Sequence, residues 1–175
     1  MLLLISGSLR QASSNTKLLG AAGALYGGDT VEANLRLPLY DGDLENQGLP
    51  NEVQTLSDQI AAAEAVVIAT PEYNQSLTGV LKNALDWVSR TKGGPWRDKP
   101  LAIMSAAAGR SGGARATYAL RLAMAPFRPR FSSGPELLLA DSNNQFDDTG
   151  ALTNERAMAT LTEAMEQLRK EAILR

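Results

Sequence analysis

Short apolar segments alternate along this chain with longer segments in which apolar residues recur every third or fourth position. The short segments are typical of buried strands in a parallel sheet, and the spaced pattern is typical of helices that cover such a sheet. The predicted strands are Leu2–Ser6, Thr30–Leu35, Ala65–Thr70, Pro100–Ser105 and a fifth strand formed by Phe127–Phe131 with Glu136–Leu139. The predicted helices are Asn15–Tyr26, Asn51–Ala63, Thr78–Arg90, Gly113–Met124 and Thr153–Leu174.

This alternation predicts one α/β domain over residues 1–175, because parallel strands are joined by helices that pack on both faces of their sheet. The expected architecture is a flavodoxin-like three-layer sandwich with a five-stranded parallel sheet in the order 2-1-3-4-5. Ligands of such sheets bind beyond the carboxyl ends of the strands, where the strand order reverses. The loops at residues 7–14, 71–76 and 106–112 are therefore expected to form one site.

Composition limits the chemistry that this site can perform. The chain contains no Cys and no His, which excludes disulfides, cysteine nucleophiles and a Ser-His-Asp triad. A formal net charge of −2 without a Lys/Arg-rich run argues against a nucleic-acid partner. No apolar stretch is long enough to span a bilayer, and we expect a cytoplasmic protein. Hydroxyls, carboxylates, cations, backbone amides or a bound cofactor must then supply the chemistry.

The first loop combines hydroxyls and an arginine at the start of a predicted helix. Amides at a helix N-terminus have no intrahelical partners and favour an anion, and the arginine fork matches phosphate oxygens. The alternative is a Gly-Ser turn that only caps an ordinary helix. The candidate phosphate-binding residues are Ser8, Arg10, Ser13, Ser14, Asn15 and Thr16.

The second loop places an aromatic ring among amide and hydroxyl groups. It reads Pro71-Glu72-Tyr73-Asn74-Gln75-Ser76, which suits a flat polar heterocycle that packs on a ring and bonds to backbone amides. The alternative is a capped turn in which Tyr73 covers the end of the sheet.

The third loop, which follows Ser105, consists largely of small residues. Small residues let a ligand approach the backbone closely, and we interpret its glycines in this way. Residues 109–113 also match the GxSxG pattern of a hydrolase nucleophile, but the chain lacks the histidine that normally serves as the base. A phosphate-ligand binder or a hydrolase remains an alternative function.

Taken together, these motifs resemble the NAD(P)H-dependent FMN reductase family. The resemblance rests on Gly7-Ser8-Leu9-Arg10 with Ser13 and Asn15, on Pro71-Glu72-Tyr73-Asn74, on Gly79–Trp87 and on Gly112–Ala116. The chain departs from the family pattern at Thr78, where proline is frequent, and at Ala119, where histidine is frequent.

The resemblance implies a non-covalently bound FMN, with NADH or NADPH as co-substrate and ping-pong hydride transfer. It implies that the phosphate lies on the first loop and the isoalloxazine on the second loop, where it meets Ser105, Ala106 and Gly109. The acceptor would be a quinone, a free flavin, a ferric chelate, chromate or an azo compound, and Tyr73 and Arg110 would shape its pocket. No side chain is expected to be catalytic, since the flavin carries the chemistry.

The resemblance also implies a homodimer or homotetramer, as family members usually form. Trp87 and Trp96 are predicted to be either core or interface residues. The alternative function is a flavodoxin-type electron carrier without nicotinamide activity. Arg10 and the modest net charge favour the reductase.

Overall fold

The computed structural model describes residues 1–174 and has the predicted three layers. Its strands are β1 (Leu2–Ser6), β2 (Thr30–Glu32), β3 (Ala65–Ala69), β4 (Pro100–Ala106), β5 (Arg130–Phe131) and β6 (Leu137–Leu139). Its helices are α1 (Ser14–Tyr26), α2 (Gly42–Glu45), α3 (Asn51–Ala62), α4 (Gly79–Val88), α5 (Ala114–Met124) and α6 (Glu155–Ile173).

A parallel sheet forms the middle layer, and its strand order is the predicted one. β1 pairs with β2 and β3, and β3 pairs with β4, all in parallel. Every residue of β1, β3 and β4 is buried, which explains why their sequences are continuous apolar runs rather than alternating ones.

The fifth strand position differs from the prediction because two short strands share it. β5 pairs with the start of β4 at Pro100 and Leu101, and β6 pairs with the end of β4 from Met104 to Ala106. Between β5 and β6 the chain leaves the sheet and packs on α6, where Gly134 approaches the backbone of Ala164. The two predicted segments are therefore separate strands at one position.

The helices cover both faces of the sheet and bury a core on each side. α1 and α6 pack on one face, and α3, α4 and α5 pack on the other. Trp87 and Trp96 are both buried within this single chain, so they are core residues. The Trp87 indole N–H donates to the carbonyl of Pro38 at 2.8 Å and thereby anchors the long loop after β2.

The short helix α2 in that loop was not predicted. It spans four residues and its N-cap is Asp41, whose side chain accepts from the amide of Asp43. None of its residues is buried, so it leaves no apolar periodicity in the sequence.

Among the described residues, no helix is long and apolar enough to cross a membrane.

Candidate functional site

The first loop is held in shape by its own serines. The Ser13 hydroxyl caps α1 by accepting from the amides of Asn15 and Thr16 at 3.2 and 3.3 Å. The Ser8 hydroxyl accepts from the amide of Arg10 at 3.3 Å. The structure therefore shows the capping role of this loop directly, and phosphate binding by its remaining donors stays a prediction.

Asn15 ties the first loop to the end of β4. Its side-chain amide donates to the carbonyl of Ala106 at 2.8 Å, and its side-chain carbonyl accepts from the amide of Ala106 at 2.9 Å. Asn15 is buried, so most of its hydrogen-bonding capacity is used inside the protein. Its main effect is to fix two loops relative to each other.

A second tie connects the first loop to the start of α4. The Thr78 hydroxyl donates to the carbonyl of Gly7 at 2.7 Å and also caps α4 by accepting from the amide of Leu81. A Cβ on Gly7 would lie 2.8 Å from the Thr70 hydroxyl oxygen. Thr78, a departure from the family pattern, thus contributes directly to the position of the loop.

The second loop makes a tight turn that presents Tyr73 to solvent. The backbone groups of Tyr73 and Ser76 bond reciprocally at 3.1 Å. Asn74 and Gln75 between them have φ angles of 50° and 63°. Such left-handed conformations cost side-chain-bearing residues about 1 kcal/mol or more and cluster at ligand sites. Tyr73 is 48% exposed, so that its ring is available for packing.

Glu72 is already neutralised by a neighbouring helix. Its carboxylate accepts from the amide of Arg115 at 3.0 Å and forms an ion pair with the Arg115 guanidinium at 3.4 Å. It therefore caps the N-terminus of α5, where a negative charge is favourable. Glu72 joins the second loop to the third instead of adding negative charge to the site.

The prediction that the glycines of the third loop make room for a ligand is wrong for two of them. A Cβ on Gly112 would lie 2.5 Å from the carbonyl oxygen of Leu138, and a Cβ on Gly113 would overlap the hydroxyl of Ser105. Both residues also have positive φ angles, of 58° and 88°. These two glycines make room for the protein itself rather than for a ligand. Of the three glycines in this loop, only Gly109 has open space where a Cβ would lie.

Ser105 lies beneath the site. It is fully buried, and its hydroxyl donates to the carbonyl of Thr70 at 2.6 Å. Its side chain therefore links the ends of β3 and β4.

The three loops enclose one cleft at the carboxyl edge of the sheet. It is lined by the predicted residues Ser8, Arg10, Ser13, Ser14, Asn15, Pro71, Glu72, Tyr73 and Ala106. Five other predicted residues, Thr16, Asn74, Ser76, Ser105 and Gly109, are not part of this lining. Thr16 lies behind the loop, where its hydroxyl is 2.8 Å from that of Ser6.

Four lining residues were missed as individual site residues. Ala107 and Ala108 line the cleft, as do Ser142 and Asn143 from the polar loop after β6. The amide of Ser142 donates to the carbonyl of Ala107 at 3.1 Å, which carries this loop to the cleft. The sequence signal that could have identified Ser142 and Asn143 is their position just after β6, because that strand ends at the same edge of the sheet as β1, β3 and β4.

The two ends of the cleft differ in the chemical groups that line them. At the α1 end, the Arg10 guanidinium has no hydrogen bond or ion pair within residues 1–174. Elsewhere in the lining, Pro71, Tyr73 and Ala108 contribute a proline ring, an aromatic ring and a methyl group. One end therefore suits a phosphate and the other suits a planar ring.

A family model described as NADPH-dependent FMN reductase matches residues 1–143. The chain belongs to this family. Its members' cofactor fits the cleft, because the described lining contains one carboxylate, Glu72, and that group is paired with Arg115. The protein is accordingly an FMN-dependent NAD(P)H oxidoreductase, and the match gives no support to the electron-carrier alternative.

Individual relatives are similar to this protein in sequence or structure over nearly the whole chain. NAD(P)H-dependent FMN reductase PA1204 of Pseudomonas aeruginosa is 41% identical over 167 residues, covering 94% of this chain and 90% of the relative. A quinone reductase of Escherichia coli K12 is 36% identical, covering 89% and 86% of the two chains. The structure of FerB, a flavoenzyme NAD(P)H:(acceptor) oxidoreductase from Paracoccus denitrificans, superposes with a TM-score of 0.89 at 29% identity, covering 99% and 97%.

Proposed function

We propose that this protein transfers two electrons from NADH or NADPH to a small planar acceptor, a quinone above all, through FMN held in the three-loop cleft. The overall reaction is NAD(P)H + H⁺ + quinone → NAD(P)⁺ + hydroquinone. The observation that carries the proposal is one cleft lined both by Arg10, whose guanidinium has no partner among residues 1–174, and by the exposed ring of Tyr73. Bound FMN would supply the hydride-accepting and electron-donating chemistry.

The phosphate of FMN is assigned to the α1 end of the cleft. Arg10 and the hydroxyl of Ser14 face it, and the positive end of the α1 dipole favours its charge. The Ser13 hydroxyl accepts bonds from helix amides, so its role is to hold the loop. Asn15 and Thr16 support the phosphate through backbone position rather than through free side chains.

The isoalloxazine ring is assigned to the wall formed by the second and third loops. Ala106 and Ala107 already use their amides within the protein. The amides of Ala108 and Gly109 have no acceptor within residues 1–174 and are the candidates for bonding the ring carbonyls. Donors fixed before the reaction stabilise negative charge that develops on the ring. Asn74 and Ser76 keep Tyr73 in place through the turn.

Quinone is the preferred acceptor because several relatives carry that activity in their names, among them the quinone reductase of Escherichia coli K12. The physical support is the exposed Tyr73 ring beside a wall of small residues, which leaves room for a second planar molecule to stack. Free flavin, which is also planar, is the second acceptor we propose. We place the enzyme in the cytoplasm, where NADH and NADPH are abundant.

We also propose that the protein forms a homodimer or homotetramer. Tyr118 and Leu122 lie one turn apart on α5 and are 61% and 78% exposed. Arg115, in the first turn of α5, pairs with Glu72 of the cleft lining, so a second copy on this face would lie close to the acceptor end.

The deciding experiment uses the purified protein loaded with FMN. We expect a yellow protein whose flavin absorbance is bleached anaerobically by NADH or NADPH and restored by a quinone. A protein that takes up no FMN would contradict the proposal. A yellow protein that neither nicotinamide bleaches would favour the electron carrier instead.

A further inference from the structure

The tip of the third loop, residues 108–111, is rigidly supported on both sides. Before the tip, the amide of Ala107 donates to the carbonyl of Leu139 at 3.0 Å. After it, Gly112 and Gly113 pack against the backbone of Leu138 and the hydroxyl of Ser105. The tip therefore projects from a fixed base beside the cleft wall at Ala108.

Arg110 is the charged residue of this tip. Its side chain is exposed and makes no hydrogen bond or ion pair among the residues that the structure describes. The acidic groups on neighbouring elements are engaged elsewhere: Glu72 pairs with Arg115, and the Asp141 carboxylate accepts from Asn144 at 3.1 Å. The charge of Arg110 is thus not cancelled at this rim of the cleft.

Arg110 and the proposed phosphate end belong to different loops of the cleft. The phosphate end follows β1 and the tip follows β4, and β3 lies between these strands. Strands in a sheet are about 4.8 Å apart, so the ends of β1 and β4 lie roughly 10 Å apart, and the Asn15 side chain reaches from the first loop to Ala106 at the end of β4. Arg110 follows Ala108, on the side of the cleft that we assign to the ring and the acceptor.

We propose that Arg110 is a specificity-determining residue that favours anionic acceptors, such as sulfonated or carboxylated quinones, over neutral quinones of the same shape. The inference rests on the proposed function, since it concerns molecules that reach the same cleft. An exposed cation acts on an anion over several ångströms, and salt screens this attraction. Arg110 acts on the binding and approach of the acceptor, and the electron-transfer chemistry is unchanged by it.

The test compares 1,4-naphthoquinone with its 2-sulfonate as acceptors for the FMN-loaded enzyme. In Arg110→Ala, kcat/KM for the sulfonate should fall about three- to fivefold at low salt, while kcat/KM for the neutral quinone stays unchanged. Comparing the sulfonate-to-neutral ratio of kcat/KM between variants cancels the different reduction potentials of the two acceptors, because these are the same for every variant. Arg110→Lys should keep most of the preference, and 0.5 M NaCl should reduce it in the wild type.

The control is Arg97→Ala, which removes the same charge before β4, at the opposite edge of the sheet, and should leave the ratio unchanged. Equal losses for both acceptors in Arg110→Ala would overturn the inference, because they indicate a structural role. A loss confined to kcat/KM for NADPH, with NADH and the sulfonate unchanged, would also overturn it, because Arg110 would then bind the donor's phosphate. Wild-type enzyme inactive with both quinones would instead overturn the proposed function.

Discussion

Arg10 is the residue on which the charge balance of the phosphate end depends. The serines around it bond mainly to the loop and the helix, whereas the Arg10 guanidinium is free of protein partners within residues 1–174. A single unpaired cation at a helix N-terminus is suited to an incoming anion.

Arg10→Ala should weaken FMN binding by about 1.5–3 kcal/mol, or roughly 10- to 150-fold in Kd, because it removes a charge-assisted contact. Fluorescence titration of the apoprotein with FMN measures this Kd directly. Arg97→Ala, with the same loss of charge far from the cleft, should bind FMN normally. An unchanged Kd in Arg10→Ala would remove Arg10 from the site.

Gly113 offers a test of the support beneath the cleft. Gly113→Ala should destabilise the protein by roughly 2 kcal/mol or more, because its φ of 88° strains an L-residue and its Cβ would overlap the Ser105 hydroxyl. Gly109→Ala, which has open space around its Cβ, is the matched control and should be near neutral. Urea unfolding at equilibrium provides both values.

A double variant separates most of the packing effect from the conformational one. Combining Gly113→Ala with Ser105→Ala removes the overlapping oxygen and should recover part of the lost stability, leaving the backbone strain and the 2.9 Å contact with the Cβ at position 105. If Gly109→Ala were as destabilising as Gly113→Ala, the distinction between protein-facing and open glycines would be wrong.

At the scale of elements, the long loop after β2 is fastened to α4 by a small polar network. Glu45 accepts from the Arg90 guanidinium and from the Tyr40 hydroxyl, both at 2.9 Å. The Tyr40 ring packs edge-on against Trp87 with centroids 5.0 Å apart. The Arg90 bond, followed by the Tyr40 bond, lowers the pKa of Glu45. The carboxylate is therefore more stable in the folded protein than in the unfolded chain.

This lowered pKa predicts the direction of a pH effect. The stabilisation is fully present above the unfolded pKa near 4.5 and is lost as pH falls through the folded value. Glu45→Gln should therefore lose less stability than the wild type between pH 7 and pH 3, as measured by urea midpoints. Glu52→Gln on α3 is the control, since Glu52 is exposed and has no ion pair among the described residues. Equal losses in wild type and Glu45→Gln would contradict the role of the network.

At the scale of the whole molecule, the sequence predicted the layers, the strand order and the edge that carries the cleft. These follow from apolar patterning and from the geometry of parallel strands, which are local or general properties. The split between β5 and β6 and the approach of Ser142 depend on contacts with Ala164 and Ala107 far away in the chain. The reason for glycine at positions 112 and 113 could not be predicted either, because the sequence does not show which atoms pack where a Cβ would lie.

The proposed oligomeric state is also a property of the whole molecule. We expect light scattering after size-exclusion chromatography to give a mass of two or four times 18.6 kDa. Leu122→Lys on the exposed face of α5 should shift the protein toward the monomer, because it places a charge in an apolar contact. Ile173→Lys on α6, at a residue that is 76% exposed, is the control and should not. A wild-type monomer at micromolar concentration would contradict the proposed oligomer.

The supported tip of the third loop has a consequence for how this enzyme can diversify. The bonds that shape the cleft come from Asn15, Thr78 and Ser105, and none of them involves residues 108–111. The Arg110 side chain takes no part in these bonds, so we expect its substitution to change the acceptor range with little effect on folding. Single substitutions at this tip are therefore a route by which natural or laboratory evolution can extend the enzyme to new acceptors.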